Sequence, residues 1–237
     1  RLRELVRTLP LPEEIGKAVT AFFGPDARLA VRSSANGEDL EHLAGAGLYD
    51  SVINVPTTAA PQAIAQVWAS LWTRRVTISR TQAGIPHERI RMAVLLQELV
   101  TPDLSFILHT VNPVSGNRDE AVAELAVGLG EVLASANVPG TPYRLVCDRK
   151  TGAVRLLTCA TFSVALRPTL QGGIEEERLD YSRVPLSADP GATPRLGKRL
   201  AALATFLEDK LGQPQDVEGV CLGAEIHIVQ ARPQQGL

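Results

Sequence analysis

Apolar residues at helical spacing open the chain. Ile15, Ala18, Val19 and Phe22 recur behind Pro12, Glu13 and Glu14, and Gly24-Pro25 stops the pattern. The two acids fall in the first turn, where the helix dipole favours them. Residues 28–32 read as a short strand that runs into the polar stretch Ser33-Ser34-Ala35-Asn36-Gly37-Glu38-Asp39. A small-residue turn follows over residues 44–48, then a strand over 49–55. Pro61 begins one long helix on Ile64, Trp68, Leu71, Arg75 and Ile78, ending near Gly84 and Pro86. The apolar runs 92–100 and 104–111, either side of Thr101-Pro102-Asp103, predict two adjacent strands joined by a turn. Residues 120–127 predict another strand, 143–147 with 154–162 a hairpin, and 168–177 a loop. Thr193-Pro194 opens a last helix with Leu196, Leu200, Leu203, Leu207 and Leu211 inward and Gly212 as its stop.

The stretch after that helix, QDVEGVCLGAEIHIVQARP (215–233), has the grammar of a hairpin. Side chains two apart on a strand share a face, which groups Asp216 with Glu218 and Gln230 with Arg232. With Gly223, Ala224 and Glu225 as a three-residue loop, Leu222 faces Ile226, Glu218 faces Gln230 and Asp216 faces Arg232. These polar groups then converge beside Val220, Ile226 and Ile228, with Glu225 in the loop and turned away. Carboxylate and amide oxygens suit Mg²⁺, a hard cation that usually also takes substrate phosphate. A planar guanidinium beside them suits a phosphoryl group. An ordinary Asp–Arg cross-strand pair on a hairpin edge would give the same spacing.

Mostly antiparallel strands with separated helices make this an α+β chain. At 237 residues and 25.4 kDa, with 45% hydrophobic and 21% charged residues, it can bury a sizeable core in one or two domains. A net charge of -2 argues against a nucleic-acid or membrane surface, and no apolar run reaches the ~20 residues of a membrane span. Cys147, Cys159 and Cys221 are odd in number and far apart, which reads as reduced, buried thiols in an intracellular protein. The chain opens with Arg1 and its one methionine is Met92, so it is expected to be part of something longer, and Gln234-Gln235-Gly236-Leu237 reads as an end.

Other stretches carry candidate chemistry. Arg32-Ser33-Ser34 follows a strand and leads into a glycine-containing loop, a setting in which guanidinium, hydroxyls and amides can hold phosphates. The same serines could simply cap the strand end. Gly45 and Gly47 would let backbone approach a ligand or make a turn. Gln97-Glu98-Leu99-Val100 ends an apolar strand, where backbone groups can read an adenine edge between aliphatic side chains. Gly128-Leu129-Gly130-Glu131 could turn Glu131 toward a site or begin a helix with an acid in its first turn. His42, His87, His109 and His227 are isolated, and His109, near the end of a core strand, is the one of most interest.

In this order, VRSSANGEDL (31–40), AGAGLYDSVINV (44–55), VWASLWTRR (67–75), MAVLLQELV (92–100), DLSFILHTVNPVSG (103–116), GLGE (128–131) and the hairpin resemble one family. It is the nucleotide-binding domain shared by pyruvate phosphate dikinase, phosphoenolpyruvate synthase and the glucan, water dikinases. Within it VWASLWTRR, DLSFILHT, GTPYRL (140–145), LDYSRVPLSADP (179–190) and QDVEGV are most similar to the starch-phosphorylating branch. The resemblance implies an ATP-grasp fold across residues 1–237, incomplete on its N-terminal side, with a subdomain division near 90–100. It implies a dikinase reaction: the β-phosphoryl of ATP passes to a histidine on a separate domain and then to an α-glucan, and the γ-phosphoryl passes to water, leaving AMP. The family's site roles then fall on Arg32 and Ser33 for phosphate, on Gln97, Glu98, Leu99 and Val100 for adenine, and on Glu131 as a further nucleotide contact. Glu218 and Gln230 would hold Mg²⁺, Asp216 would support them, and Arg232 would neutralise the phosphoryl in transfer. ATP and Mg²⁺ are the implied cofactors, and a plastid is the implied location. The family's early ATP-contacting lysine has no counterpart before Leu29, and no phosphohistidine motif is present, so the fragment alone is expected to be incompetent in glucan transfer. A pyruvate-type dikinase and a non-catalytic nucleotide sensor are the alternatives.

Overall fold

A computed structural model describes residues 1–36, 48–135 and 138–236. The expected turn at Gly45 and Gly47, the acids Glu38 and Asp39, and His42 lie outside the described residues. The chain is α+β and divides into two compact units, residues 1–99 with 168–174, and residues 100–167 with 175–237.

Unit 1 contains the helices α1 (Leu2–Arg7), α2 (Glu13–Phe23), α3 (Ala60–Ser70) and α4 (Arg74–Gln82) and the strands β1 (Arg28–Ala35), β2 (Val52–Pro56) and β3 (Met92–Glu98). The strands form an antiparallel sheet in the order β2-β1-β3. Leu29 and Val31 point from β1 into a core with Val55, Ile64, Val67 and Val19. On α2 the inward stripe is Ile15, Val19 and Phe23, each one turn and a fraction apart, and Phe22 is 82% exposed, against the expected pattern. The single helix expected from Pro61 is two. Ser70 turns its hydroxyl back to the Val67 carbonyl at 2.7 Å, and Thr73 caps the restart by accepting from the Val76 amide at 3.3 Å. The break re-phases the apolar face, so Val76 is buried while Ile78 is exposed.

Unit 2 is built on a six-stranded antiparallel sheet ordered β11-β10-β4-β5-β6-β7. Its strands are β4 (Leu104–His109), β5 (Glu120–Val127), β6 (Tyr143–Asp148), β7 (Val154–Thr158), β10 (Gln215–Leu222) and β11 (Glu225–Pro233). The strands on either side of Thr101-Pro102-Asp103 are therefore not partners: β3 pairs with β1, and β4 pairs with β10 and β5. The short helices α5 (Glu131–Ala134) and α6 (Pro185–Ala188) flank the sheet, and α7 (Ala192–Leu211) lies across one face. Leu196, Leu200, Ala201, Ala204 and Leu207 are buried on α7, and Val217, Leu108, Ala123, Leu145 and Cys147 are buried on the sheet. Each fully buried leucine contributes roughly 1.5–3 kcal/mol. Gly197 allows the close approach, since a Cβ there would stand 2.6 Å from Val154 and 3.2 Å from the Cys147 sulfur. Small residues take the places expected of Leu203 and Leu211, and Leu211 is exposed.

Residues 168–177, expected as a loop, contain a hairpin of β8 (Val164–Pro168) and β9 (Ile174–Arg178). Its tip belongs to unit 1. Asn54, fully buried on β2 with φ 60, donates both amide hydrogens at 2.7 Å, one to the Thr169 carbonyl and one to that of Gly173. The Gly173 amide returns a bond to the Asn54 carbonyl at 3.1 Å, and Arg28 donates to the Leu170 carbonyl. Among the described residues no helix is long and apolar enough to cross a membrane.

All three cysteines are free, Cys159 exposed and Cys147 and Cys221 buried. Burial pushes the Cys147 thiol up to about 12 and raises that of Cys221. At pH 8 a disulfide reagent should modify Cys159 alone in the folded protein and all three thiols in denaturant. The fold favours the neutral Cys147 thiol, so this contribution to stability is complete below the ordinary thiol value near 9 and is lost as pH rises toward 12. Rapid modification of Cys147 in the native protein would contradict the packing described.

Candidate active site

The two units carry separate candidate clusters. In unit 2, β10 is gripped at its start. The fully buried Thr110 hydroxyl accepts from the Gln215 amide at 2.8 Å and donates to Glu208 of α7 at 2.6 Å. Arg149 closes the network with bonds to Glu208 at 2.9 Å and to the Thr110 carbonyl at 3.1 Å. Beyond β11, the Gln234 amide bonds the Val111 backbone in both directions, at 2.9 and 3.2 Å. Both strands that carry the hairpin groups are thereby tied to the segment following β4.

The hairpin pairs Asp216 with Arg232 and Glu218 with Gln230, as expected from the sequence. It reaches that pairing by a different route. Leu222 pairs with Glu225, so the turn is the two-residue Gly223-Ala224, with Gly223 at φ 55. A regular ladder from that turn would bring Gln230 opposite Val217 and onto the other face. A bulge corrects the register: Ile228 pairs with Gly219 and Gln230 with Glu218, leaving Val229 as the extra residue. The two-residue turn also changes the neighbours. Ile226 and Ile228 pair with Cys221 and Gly219 on the helix-covered side of the sheet, and His227 takes the place beside Val220 on the polar side. Glu225 is not in the loop but opens β11, with its carboxylate 3.3 Å from His227 Nε2.

Arg232 donates to one oxygen of Asp216, from Nε at 2.9 Å and Nη2 at 2.8 Å. The other Asp216 oxygen faces His109 Nε2 at 3.8 Å. The row runs Arg232, Asp216, His109, Val122 across four strands, and the next runs Gln230, Glu218, Ile107, Glu124, Arg144. Arg144 holds Glu124 through Nε at 2.9 Å. No group of three or more His, Cys, Asp or Glu suited to a metal occurs among the described residues. Glu218 and Gln230 fit Mg²⁺ in another sense, as a carboxylate and an amide oxygen paired on one face, since Mg²⁺ takes few protein ligands beside phosphate and water.

In unit 1, Arg32 and Gln97 share the sheet face opposite the core, and Arg32 Nη1 donates to Gln97 Oε1 at 3.5 Å. The Gln97 side chain is therefore an Arg32 partner. Ser33 pairs with Val94 on the core side, so of the two serines in the Arg32-Ser33-Ser34 stretch it is Ser34, and not the expected Ser33, whose hydroxyl shares the Arg32 face. Glu98, paired with Leu29, is exposed at the strand end. The Leu99 amide is spent on the Arg28 carbonyl at 2.8 Å, and the chain leaves unit 1 between Leu99 and Val100. Glu131 begins α5, the helical alternative for the Gly-Leu-Gly-Glu turn. Gly128 there has φ 81, and a Cβ would lie 2.4 Å from the Leu166 carbonyl oxygen.

Comparison with known families matches residues 1–237 to the pyruvate phosphate dikinase AMP/ATP-binding domain. The chain belongs to that family. Among curated relatives, a rifampicin phosphotransferase of Streptomyces sviceus is 36% identical over 236 residues, covering 98% of this chain and 26% of the relative. Alpha-glucan water dikinase 2 of Arabidopsis thaliana is 35% identical over 199 residues, 73% of this chain and 16% of the relative. A probable phosphoenolpyruvate synthase of Pyrococcus horikoshii is 30% identical over 248 residues, 98% of this chain and 30% of the relative. The chain is thus an ATP-binding domain of the phosphotransferase type and spans about a quarter of the length of its bacterial relatives. Both branches are relatives, and the rifampicin phosphotransferase matches over 98% of the chain where the glucan dikinase matches over 73%. The plastid expectation rests on the glucan dikinase branch, whose Solanum tuberosum member is chloroplastic.

The bulge makes a sharp test by deletion. Removing Val229 leaves Gln230 opposite Glu218 and Arg232 opposite Asp216 in a regular two-residue hairpin, so ATP binding should be retained. Removing Ala231 cannot be absorbed. If the bulge persists, Arg232 crosses to the other face, and if it is consumed, Gln230 does. Nucleotide titration by calorimetry should show the second deletion alone weakened by about tenfold or more, the cost of losing one charge-assisted contact.

Proposed function

We propose that the chain is the ATP-splitting part of a dikinase. Its β-phosphoryl goes to a histidine elsewhere in the full-length protein, and its γ-phosphoryl goes to water, leaving AMP. The observation that carries this reading is the convergence of Asp216, Glu218, Gln230 and Arg232 on one sheet face in a chain of this family. Mg²⁺, when bound, neutralises phosphate oxygens, and Glu218 and Gln230 would hold it. Arg232, braced by Asp216, offers a planar fork to the phosphoryl in transfer. Arg32, with Gln97 beside it, contributes a second guanidinium to the phosphates. Residues 97–100 would line the adenine, with Ser34, beside Arg32 and in place of Ser33, and Glu131 as the remaining nucleotide contacts of this reading. A sensor could bind nucleotide without the full clamp, so the presence of all four hairpin groups favours catalysis.

The acceptor that finally takes the phosphoryl is read outside this chain. We propose a rifampicin-type acceptor first, because relatives of that name match over 98% of the chain. An α-glucan is the second reading, supported by the 35% identity over 199 residues and by the starch-branch blocks named above. Full-length protein incubated with β-labelled ATP and, in turn, rifampicin, solubilised glucan and pyruvate separates these. Formation of AMP and phosphate with label in one acceptor is the expected result, and ADP as the sole product would refute the dikinase reading.

Two substitutions test the site. Glu218→Gln removes a carboxylate with little change of volume, so Mg²⁺-dependent turnover should fall by about a hundredfold or more while the unfolding midpoint stays in place. Arg32→Lys keeps the charge and loses the fork, so kcat should fall about tenfold with a smaller change in KM for ATP. Full activity in either variant removes that residue from the site.

A further inference from the structure

His109 stands next to the clamp and has no role in the reading above. Its register partner on one side is Asp216 and on the other Val122, so one flank of its ring is polar and the other apolar. Nδ1 is buried with no hydrogen-bond partner among the described residues. A buried N–H without an acceptor is costly, so Nδ1 is the ring nitrogen better left bare and the N–H belongs on Nε2. Nε2 is the atom that faces Asp216 Oδ1 at 3.8 Å, an electrostatic contact longer than a direct hydrogen bond. Oδ2 of the same carboxylate takes both Arg232 bonds. Asp216 thus stands between a guanidinium on one oxygen and an imidazole donor on the other, and its side chain is only 16% exposed.

We propose that His109 is a positioning residue for Arg232, acting through Asp216. With only Arg232 to hold it, the carboxylate can rotate about its Cβ–Cγ bond and carry the guanidinium with it. With an imidazole N–H facing Oδ1 at 3.8 Å as well, rotation is opposed and the fork is held where the phosphoryl arrives. This rests on the reading of Arg232 as the phosphoryl clamp. Misplacement of a positioning group by about 1 Å can cost up to a hundredfold in rate, so the effect should appear in kcat and hardly in ATP affinity.

The test compares His109→Gln with His109→Asn in the full-length protein. A glutamine amide nitrogen reaches the place of Nε2, and an asparagine amide nitrogen reaches only that of Nδ1. Glutamine should keep most of the rate of AMP formation, and asparagine should lose about tenfold in kcat with KM for ATP within about twofold. Adding His109→Asn to Asp216→Asn should cost nothing further, because the pathway through the carboxylate is already cut. Equal rates in the two His109 variants, or losses that multiply with Asp216→Asn, would overturn the inference while leaving the dikinase reading intact. A wild-type protein that forms no AMP from ATP, or an Arg232→Lys variant of unchanged kcat, would instead remove the clamp itself and the inference with it. Thermal midpoints of both variants within a few degrees of wild type identify the rate effects as positional.

Discussion

One register decides this molecule's chemistry. Strand side chains alternate strictly, so Glu218 and Gln230 either meet or lie on opposite sides of a sheet, with nothing between. The two-residue turn at Gly223-Ala224, taken alone, dictates the wrong answer, and the extra residue Val229 reverses it. Gly219 sits at that irregularity for a steric reason: a Cβ there would stand 2.2 Å from the Phe106 ring, which is buried against it. The bulge, the glycine and the aromatic side chain form one device. The Thr110–Glu208–Arg149 network and the Gln234 amide fasten both of its ends to the segment after β4.

The same alternation explains how one sheet can be oily on one side and ionic on the other. Residues 108, 123, 145 and 217 are drawn under α7, and their neighbours 107, 109, 124, 144, 216 and 218 fall on the opposite surface. A long helix with Gly197, Ala201 and Ala204 on its inner stripe can lie close enough to bury the central strands of the first side. The second side is then left to charged groups that hold one another in rows, Arg232 to Asp216 and Arg144 to Glu124. Packing energy is supplied on one face and specificity on the other.

Much of this was legible in the sequence, and the misses have physical causes. Strand β5, the hairpin of β6 and β7, and the pairs Asp216–Arg232 and Glu218–Gln230 follow from period and spacing. The bulge does not, because a single extra residue leaves the apolar pattern of a short strand almost unchanged. Strands β3 and β4 read as neighbours since sequence proximity usually means pairing, but the chain changes units between them. The break at Ser70–Thr73 is written in hydroxyl capping bonds, which hydrophobic period cannot register. Ser33 and Ser34 are equivalent in composition and opposite in direction, and only the phase of β1 tells them apart. His227 reached the polar face through the two-residue turn, so a hairpin read with a three-residue loop could not have placed it there.

Asn54 has a consequence for how the gene could be divided. Its two amide hydrogens are met only by carbonyls more than a hundred residues later, at Thr169 and Gly173. Unit 1 is therefore discontinuous, completed by a seven-residue tip that the other unit's sequence delivers, and the chain passes between units three times, after Leu99, Arg167 and Ile174. A cut after Leu99 would strand a buried amide with nothing to bond and take from Arg28 the Leu170 carbonyl it donates to. Neither unit can then be exchanged between relatives as one uninterrupted segment. Recombination that keeps both halves functional has to carry the tip along with β2, which binds the two units into a single heritable block.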